Sequence, residues 1–104
     1  MPPPPSLSPE QRRAALEKAA AARRQRAQVK EQLKAGALSL QTLFVQADGD
    51  EILAKLKVVS MLESMPQTGK VKARRIMAEL DISESRRVRG LGEHQRQRLL
   101  DRFA

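Results

Sequence analysis

The chain contains no cysteine, tryptophan or tyrosine, and only two phenylalanines and one histidine in 104 residues. Each shortage closes off a class of chemistry. Without cysteine there are no disulfides and no thiolate metal sites, and a reducing compartment fits. His94, standing alone, supplies neither a histidine metal cluster nor half of a His–Cys pair. With so few aromatic rings, recognition of single strands by base stacking lacks its platforms. No apolar run approaches the roughly 20 residues of a membrane span, and no signal-peptide core is present, so the chain reads as soluble and intracellular. Neither a phosphate-binding P-loop nor a nucleophile elbow occurs among the five glycines. No catalytic residues, metal, cofactor or small-molecule substrate are therefore expected, and the chain reads as a non-enzyme.

What is present in excess is positive charge. The net charge is +8, from 20 Lys and Arg against 12 Asp and Glu. Residues 1–36 carry +5, residues 37–69 carry −2 and residues 70–104 carry +5. Basicity at both ends around a slightly acidic middle favours a polyanionic partner. Duplex nucleic acid suits it better than anionic lipid, because the basic first helix has too few of the Trp, Phe or Leu anchors that membrane insertion needs.

A chain of this length supports one domain with an appendage. Residues 1–7 are proline-rich, cannot be helical and read as a disordered tail. Ser8-Pro9-Glu10-Gln11 is a helix start, with serine at the cap, proline in the first turn and Gln11 placed to complete a capping box. The breaker-free, alanine-rich run from Pro9 to about Lys34 predicts a helix roughly 39 Å long, stopped by Gly36. Its large apolar residues are few (Leu16, Val29 and Leu33), so only part of it should pack on a core. Ser39 caps a second helix, Leu40 to about Gln46, before a turn at Asp48-Gly49-Asp50. Ile52, Leu53, Leu56, Val59, Leu62 and Met65 mark one helix, or two short ones broken near Lys57-Val58, capped by Asp50 and ended by Pro66. A further helix runs from Lys70 to about Leu80, marked by Val71, Ile76, Met77 and Leu80. A turn capped by Ser83 follows, then a last helix from about Glu93 to Phe103 with Leu99, Leu100 and Phe103 inward. Sustained period-two alternation is absent, so the fold class is all-α, with residues 8–36 a long basic helix and 37–104 a helical core.

Two stretches of the core carry binding chemistry. Ser64-Met65-Pro66-Gln67-Thr68-Gly69-Lys70-Val71-Lys72 has the layout of a helix-hairpin-helix or helix-two-turns-helix turn, with Ala73 small enough for close helix approach. The first N–H groups of the following helix have no partner within it and face outward, where the helix dipole favours a phosphate oxygen. Such turns usually read Pro-Gly-apolar-Gly; here Gln67 and Thr68 replace the first glycine and the apolar residue. A positive φ at Gln67 costs about 1 kcal/mol relative to glycine. The second stretch is Arg86-Arg87-Val88-Arg89-Gly90-Leu91-Gly92, where three arginines suit forked phosphate contacts or insertion into a minor groove. Arg12, Arg13, Arg23, Arg24 and Arg26 also stand out on the first helix, where a solvated basic face is the ordinary explanation.

These stretches, in this order, resemble the actinobacterial integration host factor family, the nucleoid-associated DNA-binding proteins of mycobacteria and Streptomyces. The resemblance rests on Ser8 to Arg12, on Ala14 to Arg24, on Lys55-Leu56-Lys57-Val58, on Gly69 to Ala73 and on Arg86 to Gly92, and spans residues 8–103. It implies a long first helix on a small core with a helix-two-turns-helix element. It also implies sequence-tolerant binding of double-stranded DNA, bending and compaction, support of site-specific recombination, and a place on the cytoplasmic nucleoid. Contacts implied by the family fall on the hairpin, Ser64 to Val71, and on a lid-like segment from about Ile82 to His94. No oligomer is required. Two other readings stay open: binding of structured RNA, since a ribosomal small-subunit protein uses a similar element, and an accessory module of a repair enzyme. The Met1 start and terminal helix make the chain look complete, which counts against the second.

Overall fold

Capping fixes most of the helix starts. The computed structural model describes residues 7–104, so the tail expected over residues 1–7 lies outside them except for Leu7. Helix α1 spans Pro9–Lys34, and Ser8 and Gln11 form the expected capping box, at 3.1 and 3.0 Å. It ends in a Schellman arrangement: Gly36 takes φ 73°, and the Ala37 N–H donates to the Gln32 carbonyl at 2.9 Å. Helix α2, Leu40–Gly49, starts where Ser39 accepts from the Thr42 N–H at 3.1 Å. It runs three residues past the expected end, through the Asp48-Gly49 turn signal, because the Asp50 cap that starts the next helix follows directly.

The apolar run after Asp50 forms two short helices, α3 (Glu51–Ala54) and α4 (Val58–Glu63). The break falls at Lys55-Leu56-Lys57 and has a tertiary cause. The Val58 N–H donates to the Arg86 carbonyl at 3.0 Å and the Val88 N–H to the Leu56 carbonyl at 2.9 Å. This antiparallel bridge between Lys57 and Arg87 is the one strand-like pairing among the described residues. It lets Leu56 and Val88 enter the core together.

Helix α5, Gly69–Glu79, follows the hairpin and also ends in a Schellman arrangement, with Asp81 at φ 58° and the Ile82 N–H on the Met77 carbonyl at 2.8 Å. A single 3-10 turn, Val88–Gly90, leads to helix α6, Glu93–Arg102, whose first turn is closed by the Gly92 N–H on Gln95 Oε1 at 3.1 Å. Leu33, Leu43, Met61, Leu62, Ile76, Met77 and Leu99 form the fully buried centre. Ala73 is also fully buried where α5 packs on α4, the close approach its small size allows.

Four apolar residues are more exposed than their sequence pattern suggests. Leu16 is 63% exposed, because only the second half of α1 meets the core, through Val29 and Leu33. Val71 is 73% exposed, on the outer side of the first turn of α5 rather than on the face of Ile76. Leu100 and Phe103 are only half-buried against the core edge, with Leu99 alone going fully inside from α6.

Candidate nucleic-acid interface

The hairpin is a β-turn over Met65-Pro66-Gln67-Thr68, closed by the Thr68 N–H on the Met65 carbonyl at 3.2 Å. Pro66 stands second and Gln67 third with φ 60°, the pattern of a type II turn, which calls for glycine at the third position. Gln67 therefore adopts the left-handed conformation that the usual first glycine provides. Thr68 takes the place of the usual apolar residue and is buried to 9% exposure; its hydroxyl donates to the Pro66 carbonyl at 3.3 Å, so no polar atom is stranded. Gly69, with φ 68°, opens α5, and a Cβ there would meet nothing within 4 Å. Its glycine is required by the backbone angle, not by crowding.

No side chain caps α5. The N–H groups of Gly69, Lys70 and Val71 have no acceptor within the helix, and no side chain caps them with a hydrogen bond. Gly69, Lys70, Val71 and Lys72 are all exposed. Lys70 and Lys72 form no ion pair among the described residues. Ser64 is turned inward, its hydroxyl donating to the Ser60 carbonyl at 2.9 Å. The hairpin thus presents main-chain donors and two unpaired ammonium groups on one exposed turn.

The Arg86–Gly92 segment is held from below. The bridge to Lys57 fixes its backbone, and Val88 and Leu91 anchor it in the core. Its arginines are not equivalent. One Nη of Arg87 donates to the Lys55 carbonyl at 2.6 Å, and one Nη of Arg86 to the Gly90 carbonyl at 3.1 Å. Each keeps further N–H groups of its five for an outside acceptor. Arg86 lies along Gly90, where a Cβ would come within 2.9 Å of its Cδ. Arg89 makes no side-chain hydrogen bond or ion pair among the described residues. The Glu51 carboxyl is held below its ordinary value chiefly by the hydrogen bond and then the charge of Lys55, 2.9 Å away, with Lys18 and then Arg89 adding less.

Three other arginines are committed internally. Arg74 reaches Glu63 at 2.9 Å and Glu84 at 2.8 Å, tying α5 to α4 and to the segment after it. Arg96 pairs with Asp48 at 3.1 Å over the Phe44 ring, and Arg102 with Glu79 at 2.6 Å. Glu84, which stands beside the Arg86–Arg89 segment in sequence, is thereby drawn to Arg74 instead. Two clefts bring in lysines of α1, Lys30 and Lys34, that the sequence did not mark out. Lys34 of α1 lines a cleft with Glu63, Ser64 and the hairpin. Arg26 and Lys30 of α1 line another with Lys55, Lys57, Ser60 and Arg87. The signal available in the sequence was the four-residue spacing of Arg26, Lys30 and Lys34 beside the buried Val29 and Leu33.

Residues 33–103 match the family model of the S13-like H2TH domain. The chain is 54% identical over 81 residues to the integration host factor of Mycolicibacterium smegmatis, covering 78% of this chain and 77% of that one. The integration host factor of Mycobacterium tuberculosis gives the same figures. That of Streptomyces coelicolor is 57% identical over 73 residues, covering 70% of this chain and 68% of its own. The fold is similar to a solved structure described as sIHF bound to an 8-bp palindromic DNA, with a TM-score of 0.83 and 51% identity over 85% of this chain and 99% of that one. The chain belongs to the integration host factor family of mycobacteria and Streptomyces, built on an S13-like H2TH domain.

Proposed function

We propose that this protein is an architectural binder of double-stranded DNA, gripping the backbone with little regard to sequence, bending and compacting it, and supporting site-specific recombination. The observation that carries this reading is the match to a chain described as DNA-bound, at a TM-score of 0.83. The hairpin, Ser64 to Lys72, and the segment of Arg86, Arg87, Arg89, Gly90 and Gly92 act as two backbone clamps, carried by residues 37–104 with the basic helix of residues 8–36 beside them. Phosphate neutralisation is the energy source, aided by the dipole of α5 at the hairpin. Nothing in this mechanism uses catalysis, a cofactor or a second copy of the chain, and the site of action is the cytoplasmic nucleoid.

Fluorescence anisotropy with unrelated duplexes of equal length tests the reading. Five phosphate contacts alone give a log–log salt slope of about −4.5. Arg89→Ala should weaken all duplexes equally and leave thermal stability unchanged. Arg87→Ala should weaken them and also lower stability, because it removes the bond to the Lys55 carbonyl. An affinity indifferent to salt, or tighter binding to structured RNA than to duplex DNA, refutes the proposal. Losses confined to one sequence would instead indicate base readout.

A further inference from the structure

Each clamp is preceded by a glutamate. Glu63 ends α4 and stands directly before the hairpin, Ser64 to Lys72. Glu84 lies in the turn closed by the Arg86 N–H on the Ser83 carbonyl at 3.0 Å, at the entry to the arginine segment. One side chain holds both carboxylates. Arg74 donates from Nη1 to Glu63 at 2.9 Å and from Nε to Glu84 at 2.8 Å. Its Nη1 also donates to the Lys70 carbonyl at 3.0 Å, which ties the guanidinium to the first turn of α5. No other lysine or arginine among the described residues pairs with two carboxylates.

The arrangement matters because a carboxylate competes with phosphate for the same cations. Lys70 and Lys72 in the hairpin, and Arg86, Arg87 and Arg89 in the segment, form no ion pair among the described residues. Glu63 lines the cleft of the hairpin, and Glu84 is exposed two residues before Arg86. Released from Arg74, each carboxylate has a clamp cation within its local reach. The planar fork of an arginine holds two acceptors in fixed directions, which a lysine ammonium does not. Exposed pairs of this kind add little to stability, so their main consequence is where they keep the acids.

We propose that Arg74 is a positioning residue for both DNA clamps: by holding Glu63 and Glu84 it keeps their carboxylates off the lysines of the hairpin and the arginines of the segment. The inference rests on the double-stranded DNA reading above. It requires no direct contact between Arg74 and DNA. An exposed carboxylate that pairs with a clamp cation opposes phosphate by about 2- to 5-fold, so releasing two opposes it by about 4- to 25-fold.

The test measures the affinity of full-length proteins for one duplex by fluorescence anisotropy, with circular dichroism to confirm that each variant is folded. Arg74→Gln should weaken binding by about 4- to 25-fold. Arg102→Gln removes the same charge and another exposed pair, with Glu79 at the far end of α5, and should weaken it by about 2-fold at most. Glu63→Gln and Glu84→Gln are then each made in wild type and in Arg74→Gln. Each changes the net charge equally in the two backgrounds, so general attraction cancels and the coupling to Arg74 remains. Each should tighten binding about 2- to 5-fold more in Arg74→Gln than in wild type. Equal effects in the two backgrounds overturn the proposal, because Arg74 would then be a direct phosphate contact or only a brace between helices. A loss in Arg74→Gln no larger than in Arg102→Gln overturns it as well. A wild type that binds no duplex refutes the DNA reading itself, which is a separate outcome.

Discussion

Leu16 and Leu33 belong to the same helix but differ in burial: Leu33 is fully buried and Leu16 is 63% exposed. Leu33→Ala removes buried methyl groups and leaves a space that α1, packed beside α3 and α4, cannot fully close. Such truncations cost about 2.7–5 kcal/mol. A domain of this size has about 5–15 kcal/mol of stability, so the variant should remain folded in the cold. Taking about 3 kcal/mol, and about 4–8 °C per kcal/mol for about 100 residues, Tm should fall by about 12–24 °C. Leu16→Ala removes a side chain mostly in water and substitutes a better helix former, so its effect should stay within about 0.5 kcal/mol. Thermal and urea unfolding followed by far-ultraviolet circular dichroism measure both. Equal losses in the two variants would mean that α1 rests on something along its whole length, and partial docking would be wrong. A loss below about 1 kcal/mol for Leu33→Ala would show that α1 is not anchored where the burial places it.

Gln67 and Glu51 give two further expectations. Gln67→Gly relieves about 1 kcal/mol of left-handed strain but adds about 0.4–1 kcal/mol of unfolded-state entropy, leaving stability nearly unchanged. Gln67→Val, β-branched at φ 60°, should lose more than about 1 kcal/mol, and equal urea midpoints for the two would contradict the turn geometry. Glu51 is held below the ordinary carboxylate value by the hydrogen bond and then the charge of Lys55, with Lys18 and Arg89 adding less. Because its folded pKa is depressed, its contribution to stability is present above the unfolded value and is lost as pH falls through the folded one. Lys55→Met should raise the Glu51 titration toward the ordinary value in a carboxyl NMR titration; an unmoved midpoint would show that Lys55 is not the cause.

Much of the hairpin was readable because its signals are local. Pro66, Gly69 and the apolar ends of α4 and α5 mark a turn between helices. The glycine usual at the position of Gln67 raised the question of a positive φ there, and the backbone adopts one. The inequality of Arg86, Arg87 and Arg89 was not readable, since it depends on which carbonyl lies under each guanidinium, and for Arg87 that carbonyl is 32 residues away. The break at Lys55–Lys57 was placed only approximately for the same reason: it is imposed by pairing with Arg87, not by a local breaker.

The sequence by itself determined the all-helical architecture, the caps at Ser8, Ser39 and Asp50, the stops at Gly36 and Pro66, and the concentration of charge at both ends. These follow from interactions spanning three or four residues, which a few side chains encode completely. Only the tertiary structure decided which half of α1 packs and which arginines are bound internally. It also brought Lys34 into a cleft with the hairpin, and Arg26 and Lys30 into another with Arg87. Those outcomes depend on burial and on charge pairs such as Arg96 with Asp48, 48 residues apart, where the chain's path through space selects partners that sequence spacing does not specify.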